Sequence, residues 1–302
     1  MKRYIINIIV FFAIVSLIDI GVGLIGDHMQ FYAKGGDTRK TNDLIKSDVH
    51  DIIVFGSSRA NHHYDTPFLS DSLGIDVYNA GYDGNGVVLS YGLLSMILER
   101  YQPKLIIFDN EPCFDINVYA GDNGNKRYIT PLKPYYRNNG VSKVIQGVSK
   151  EEYYKSFSGM MRYNTTIISK TMDYIGGGTV ANQGYVPMYG VYEGEQSTTE
   201  QKQASVDPFK LLCFENMLLL VKSKNVPILV VASPKYGEKN SKDLQPIKDL
   251  CAKYQVPFVD YYADEVFMRH KEWFNEPMHL NAGGARVFSE KLISDINRII
   301  KH

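Results

Sequence analysis

Ten residues, "VFGSSRANHH" at 54–63, bring together a strand-like apolar end, a glycine, two adjacent serines, an arginine and two histidines. A serine becomes a nucleophile only if a base takes its proton, a carboxylate fixes the tautomer of that base, and N–H groups are aimed at the oxyanion that forms on the attacked carbonyl. The chain supplies each kind of group. In "WFNEPMHLNAGGARVF", Glu276 stands three residues before His279, and Gly81 and Asn110 follow two other apolar runs. Arg59, His62 and His63 have no carboxylate at metal-ligand spacing beside them, so they read as substrate-side contacts or as an ordinary polar loop, and no metal site is expected. Asn85, in "GYDGNG", reads as a turn or helix-cap residue, with substrate contact as the other reading. Asp109 and Asp115 stand where they would line a cleft, and Asp109 would equally cap the end of a strand.

These groups meet only if strands deliver them to one edge of a sheet. Residues 51–56, 76–81, 103–109, 226–233 and 256–262 are apolar runs of strand length, separated by helix-sized intervals. Residues 87–101 carry apolar positions on one helical face, Asp207 and Pro208 open a second helix, 242–255 form a third, and Asn281 caps a last one from Ala282 to about Ile300. Strands alternating with helices imply an α/β fold with a five-stranded parallel sheet between two helical layers. Its strand ends would carry Gly56, Ser57, Ser58 and Gly81 on the same edge.

About a hundred residues separate the third strand from the helix at 208, far more than a crossover needs. An insertion at about 112–206 is expected, with a helix over 150–175 followed by glycine-rich loops across one end of the sheet. It is either a substrate cover or a peripheral excursion with its own small core.

With 33 basic and 33 acidic side chains the formal net charge is zero, which argues against a nucleic-acid partner. The 22 tyrosines cluster between Tyr101 and Tyr192, as core or as faces on which sugars stack. Cys113, Cys213 and Cys251 have no metal-type spacing and read as buried free thiols, one disulfide being the alternative in an exported chain. Lys2 and Arg3 precede 23 residues, 4–26, interrupted by one charge at Asp19. Fifteen Leu, Ile, Val and Phe residues at about −0.3 to −0.6 kcal/mol each outweigh about +3 kcal/mol for one aspartate, so insertion into a membrane wins. The expected organisation is a signal anchor at 1–27, preferred over a cleaved signal peptide, a juxtamembrane linker or short helix at 28–50, and a domain at 51–302. The positive-inside rule puts the N-terminus in the cytoplasm and the domain outside it, with the helix as a single pass.

Taken together, "FGSS", "NAGYDGNG" and "EPMHLNAGGA" resemble the blocks of the SGNH or GDSL hydrolase superfamily, in the family's order. The resemblance implies a flavodoxin-like three-layer fold, Ser58 as nucleophile, His279 as base, Glu276 as the acid, and an oxyanion hole from Ser58, Gly81 and Asn110, with no cofactor. Glu276 replaces the usual aspartate, Ser57 stands where aspartate is frequent, and Asn110 lacks the usual preceding glycine. The G-x-S-x-G elbow of ordinary α/β-hydrolases is absent, since position 60 is Ala60. The chain is most similar to membrane-anchored members that serve teichoic-acid D-alanylation and exopolysaccharide O-acetylation. That likeness implies an esterase or O-acyltransferase acting on a cell-surface glycan or acylated sugar, with a membrane-bound acyltransferase as a partner. The rival is a non-catalytic glycan-binding or assembly protein that uses the same cleft.

Overall fold

A computed structural model describes residues 1–119, 124–178, 181–194 and 204–300. Strands β1 (Ile52–Gly56), β2 (Val77–Asn79), β3 (Leu105–Asp109), β4 (Ile228–Ala232) and β5 (Phe258–Asp260) form one parallel sheet in the order β2-β1-β3-β4-β5. Every residue of β1, β3 and β4 is buried, as continuous apolar runs must be when helices cover both faces. Alternation divides them between two cores. Ile53, Phe55, Ile106 and Phe108 pack under the helices Val87–Arg100 and Pro208–Ser223, while Ile52, Val54, Leu105 and Ile107 pack under Thr66–Leu73 and Ala282–Ile300. The order of the strands reverses between β1 and β3, where Gly56 lies opposite Asp109, and a crevice forms there outside their carboxyl ends.

The helix expected over 150–175 is three short ones, Lys150–Lys155, Gly159–Tyr163 and Ile167–Tyr174. Ser158 restarts the chain by accepting the Met161 N–H, and its own hydroxyl donates to Asp19 at 2.6 Å. The second break is at Asn164–Thr166, where Thr166 takes a non-helical conformation as N-cap of the third piece. The glycine-rich segment does run over one end of the sheet. The carbonyl of Gln183 accepts the N–H of Asn79, that of Asn61 accepts the N–H of Val186, and that of Phe274 accepts the N–H of Tyr192. Thr179, Val180 and Glu195, part of the same expectation, lie outside the described residues.

Helix α1 (Lys2–Phe31) contains the expected apolar run and is long and apolar enough to cross a membrane, with a mean hydropathy of 2.8 over an 18-residue window. Residues 28–50 differ from a linker. The helix continues to Phe31, then α2 (Gly36–Asn42) and one π-type turn, Asp43–Ser47, bury Thr38, Lys40, Leu44 and Ile45 against the domain. Polar composition hid this, because what is buried there is largely polar. Cys113, Cys213 and Cys251 are free thiols, the last two buried and pushed up to about 12 by desolvation.

Gly56 ends β1 at φ 147°, and a Cβ there would lie 2.7 Å from the Asp109 carbonyl oxygen and 2.8 Å from the Ala60 side chain. Gly56→Ala is expected to destabilise the protein by about 2 kcal/mol or more, read from urea unfolding of the detergent-solubilised chain.

Candidate active site

Chain direction changes at Gly56, and the next residues form the short helix α3 (Ser58–His63), capped by the Ser57 hydroxyl, which accepts the Arg59 N–H. Ser58 is therefore the first helical residue, where a backbone N–H has no partner within the helix. Opposite it stands a hairpin of Phe274–Glu276 and His279–Leu280, tied by the register of Glu276 with His279. Nε2 of His279 lies 2.7 Å from the Ser58 Oγ, and its Nδ1 lies 2.5 Å from Glu276 Oε1. With a proton on Nδ1 donated to Glu276, Nε2 is left to accept from the serine hydroxyl. Burial lowers the His279 pKa from 6.5, while Glu276 works in the opposite direction. The imidazole thus takes its neutral form more readily than a free one, as an acceptor of the Ser58 proton must. The Glu276 side chain is half exposed, which softens its electrostatic pull.

Arg59 and His63 were expected on the substrate side, and the structure corrects both. Each is fully buried. The Arg59 guanidinium donates to the Ser233 hydroxyl and carbonyl and lies over the Tyr262 ring. His63 Nδ1 donates to the Ser233 Oγ at 2.9 Å, and its Nε2 accepts the Leu280 N–H at 3.0 Å. Ser233 in turn donates its hydroxyl and its N–H to Asp109, which also accepts from the Tyr64 hydroxyl at 2.9 Å. Asp109 is thus a buried member of this network, not a lining group. A helix of six residues turns Arg59 and His63 inward on the face opposite Ser58, which adjacency in sequence does not reveal.

His62 is near the triad, its ring 5.4 Å from that of His279. Its Nδ1 bonds the Val186 carbonyl at 2.7 Å and its Nε2 lies 3.3 Å from Asp83 Oδ1. Burial works against the charged ring, but these two partners outweigh it and raise its pKa above 6.5. Asn85 makes a turn, with its Nδ2 bonding the Asp83 carbonyl, while the helix cap expected of it falls to Gly86.

The Gly81 N–H is not free for an oxyanion, since it donates to Asn79 Oδ1 at 2.9 Å. Gly81 is required for packing, because a Cβ would lie 2.4 Å from the Asn61 nitrogen. Asn110 is fully buried; its Nδ2 lies 3.4 Å from Asp115 Oδ2, and its Oδ1 has no partner among the described residues. Asp115, equally buried, also accepts the Glu111 and Val87 N–H groups, and desolvation raises it to about 8. Asn110 and Asp115 hold the turn after β3 in this conformation instead of facing the cleft.

Sequence reasoning missed Ser233 and Lys40. Ser233 follows the end of β4 as Ser57 follows the end of β1, and that position was the available signal. Lys40 carried none, since two of its three acceptors, the Gly81 and Gly184 carbonyls, are backbone groups. Among the described residues no group of three or more His, Cys, Asp or Glu is placed to hold a metal ion.

No protein-family model and no curated protein matches the chain. Solved structures resemble it at low identity. They include one described as a platelet activating factor from Streptococcus pneumonia (13% identity, 86% of this chain and 90% of that one, TM-score 0.45). Another is described as an acylhydrolase from Bacteroides fragilis (14%, 91% and 98%, 0.42). A third is a catalytic mutant of an acetylxylan esterase from Geobacillus stearothermophilus (11%, 85% and 97%, 0.42).

Burial holds His63 well below pH 6.5 in the folded chain, whereas the unfolded chain takes up its proton near that value. Stability from this residue is therefore full above pH 6.5. Below it, stability falls by about 1.4 kcal/mol per pH unit until the folded-state pKa is reached. His63→Gln is expected to lower stability at pH 8 but to flatten this acid slope, as measured by urea unfolding between pH 8 and pH 5.

Proposed function

We propose that this chain is a membrane-anchored serine esterase or O-acyltransferase of the SGNH type, acting on acyl groups of a cell-surface polysaccharide. The observation that carries this reading is the unbroken relay from Glu276 through His279 to the Ser58 hydroxyl, at 2.5 and 2.7 Å. Ser58 Oγ attacks the acyl carbonyl as its proton passes to His279 Nε2, and Glu276 stabilises the imidazolium that results. The Ser58 N–H donates to the oxyanion. Collapse of the tetrahedral intermediate breaks the ester bond. His279 gives its proton to the departing sugar oxygen, and the acyl group remains on Ser58. Water or an acceptor hydroxyl then attacks, again losing its proton to His279, and the acyl group leaves as the free acid or as a new ester while Ser58 regains its proton.

Anchoring is supported by the geometry of α1. Thirty residues span about 45 Å, more than the roughly 30 Å of a hydrocarbon core. The surplus lies at the C-terminal end, where Asp19 accepts from the Ser158 hydroxyl and the Met160 N–H, and Asp27 accepts from Tyr163 at 2.6 Å. The bilayer would thus hold about the first 20 residues of the helix, with Asp19 near its outer boundary, leaving the domain outside the cytoplasm with the basic Lys2 and Arg3 inside.

Ser58→Ala or His279→Ala is expected to lower turnover of an aryl acetate about 10³-fold or more, and Ser58→Ala to abolish labelling by a fluorophosphonate. The acid limb of kcat/KM for the unmodified enzyme should fall below pH 6.5, because burial lowers the His279 pKa. Well-folded protein whose turnover is indifferent to Ser58→Ala would exclude the mechanism. Mature protein that begins near residue 27 and washes off membranes would exclude the uncleaved anchor.

A further inference from the structure

A cavity of about 550 Å³, built from the segment after α1, the turn after β2 and the insertion, lies across His62 from His279. Asp83 and Val186, both in its wall, are the two partners of His62, whose ring faces that of His279 at 5.4 Å. His62 thus touches the cavity wall on one side and the proposed base on the other. The volume is that of a small-molecule or short oligosaccharide site.

The lining indicates which chemistry fits. Lys40, fully buried, directs its ammonium at Asn61 Oδ1, the Gly81 carbonyl and the Gly184 carbonyl, at 2.8, 2.7 and 2.8 Å. Its three protons already have acceptors, so it offers little to an incoming anion. Lys170 donates to the Thr38 hydroxyl at 2.8 Å, and Thr38 donates to Asp173. Arg39 pairs with Asp43 at 3.4 Å. An anion would face Asp37, Asp83 and Asp173, and a cation would face Lys40 and Lys170. Burial lowers both lysines to about 8, which leaves them largely protonated at neutral pH, and it raises Asp37 from its ordinary value. Thr130, Thr166, Ser169 and Gln183 add groups that donate and accept, and Tyr78 and Tyr82 add aromatic surface for C–H faces.

We propose that this cavity is a subsite for an uncharged, hydroxyl-rich sugar, which it holds so that an O-acyl group or an acceptor hydroxyl reaches Ser58. The proposal rests on the acyl-transfer reading for its geometry at Ser58, but the binding it describes does not need that reading. A hydroxyl that both gives and takes a hydrogen bond satisfies a wall of mixed, mutually cancelling charge, where a carboxylate or phosphate leaves Asp37 or Asp83 facing it at a cost.

The test uses full-length protein in detergent carrying Ser58→Ala, titrated calorimetrically with xylohexaose, cellohexaose and chitohexaose as neutral probes and hexagalacturonic acid as the acidic one. The expected result is saturable binding of at least one neutral probe, weakened tenfold or more by Ser169→Trp or Ala181→Trp, which fill the cavity. Asp37→Asn, which alters no volume, is expected to weaken it as well and serves if the tryptophan variants melt early. Binding of none of the neutral probes, preference for hexagalacturonic acid, or binding indifferent to all three changes overturns the subsite. Aryl acetate turnover by the unmodified chain separates the two readings. Cavity-dependent binding without turnover keeps the subsite and removes the enzyme, whereas turnover with cavity-independent binding removes the subsite and keeps the enzyme.

Discussion

The hydrogen bond from the Leu280 N–H to Nε2 of His63 joins the two halves of the site. His63 closes the short helix that Ser58 opens, and Leu280 follows His279 on the hairpin, so this buried bond fixes the separation of the serine hydroxyl and the imidazole. Its strength depends on His63 remaining neutral with its proton on Nδ1, which Ser233 enforces by accepting there. Ser233 can accept because its own hydroxyl proton goes to Asp109, and Asp109 can remain in the core because Arg59 and Tyr64 stand beside it. A charged group buried without such partners would cost several kcal/mol. The chain of donors and acceptors beneath the site is therefore a single unit, and the arrangement of Ser58, His279 and Glu276 is its surface expression.

That unit also explains what was legible in the sequence. The sheet was readable because parallel strands buried on both faces become apolar runs, and the edge that carries Ser58 followed from where those runs end in glycine. Glu276 and His279 were readable because they share a loop before a capped helix. Arg59, His62 and His63 were not, since residues of one short helix face different surroundings: Arg59 and His63 both turn to the buried Ser233, and only His62 reaches Val186 and Asp83 in the cavity wall. Gly81 was assigned an oxyanion role when its requirement is steric. Its N–H is taken by a side chain two residues away, a local bond that no spacing of residue types announces.

The segment after α1 shows the same limit from the other side. A polar run such as "KGGDTRKTND" reads as solvated chain, yet Lys40 and Thr38 are buried in it. What stabilises them is the Gly81 carbonyl after the second strand and, from the insertion more than a hundred residues away, the Gly184 carbonyl, the Lys170 ammonium and the Asp173 carboxylate. Polar burial of this kind is decided by tertiary partners, whereas apolar burial is written locally in periodicity.

Asp19 connects these observations to the membrane reading. As the one charge in the apolar run 4–26 it would be costly in hydrocarbon, but it receives the Ser158 hydroxyl and the N–H groups at the start of Gly159–Tyr163, which have no partners within their own helix. Gly23 and Gly159 allow the close approach, for a Cβ on Gly159 would lie 2.4 Å from the Gly23 backbone. The insertion that closes the polar cavity is thus docked on α1 itself. On the proposed topology the anchor does more than tether the domain. It holds the cavity and the crevice in one orientation at the membrane face, so that a glycan chain would meet them from a direction set by the fold and not by a flexible linker.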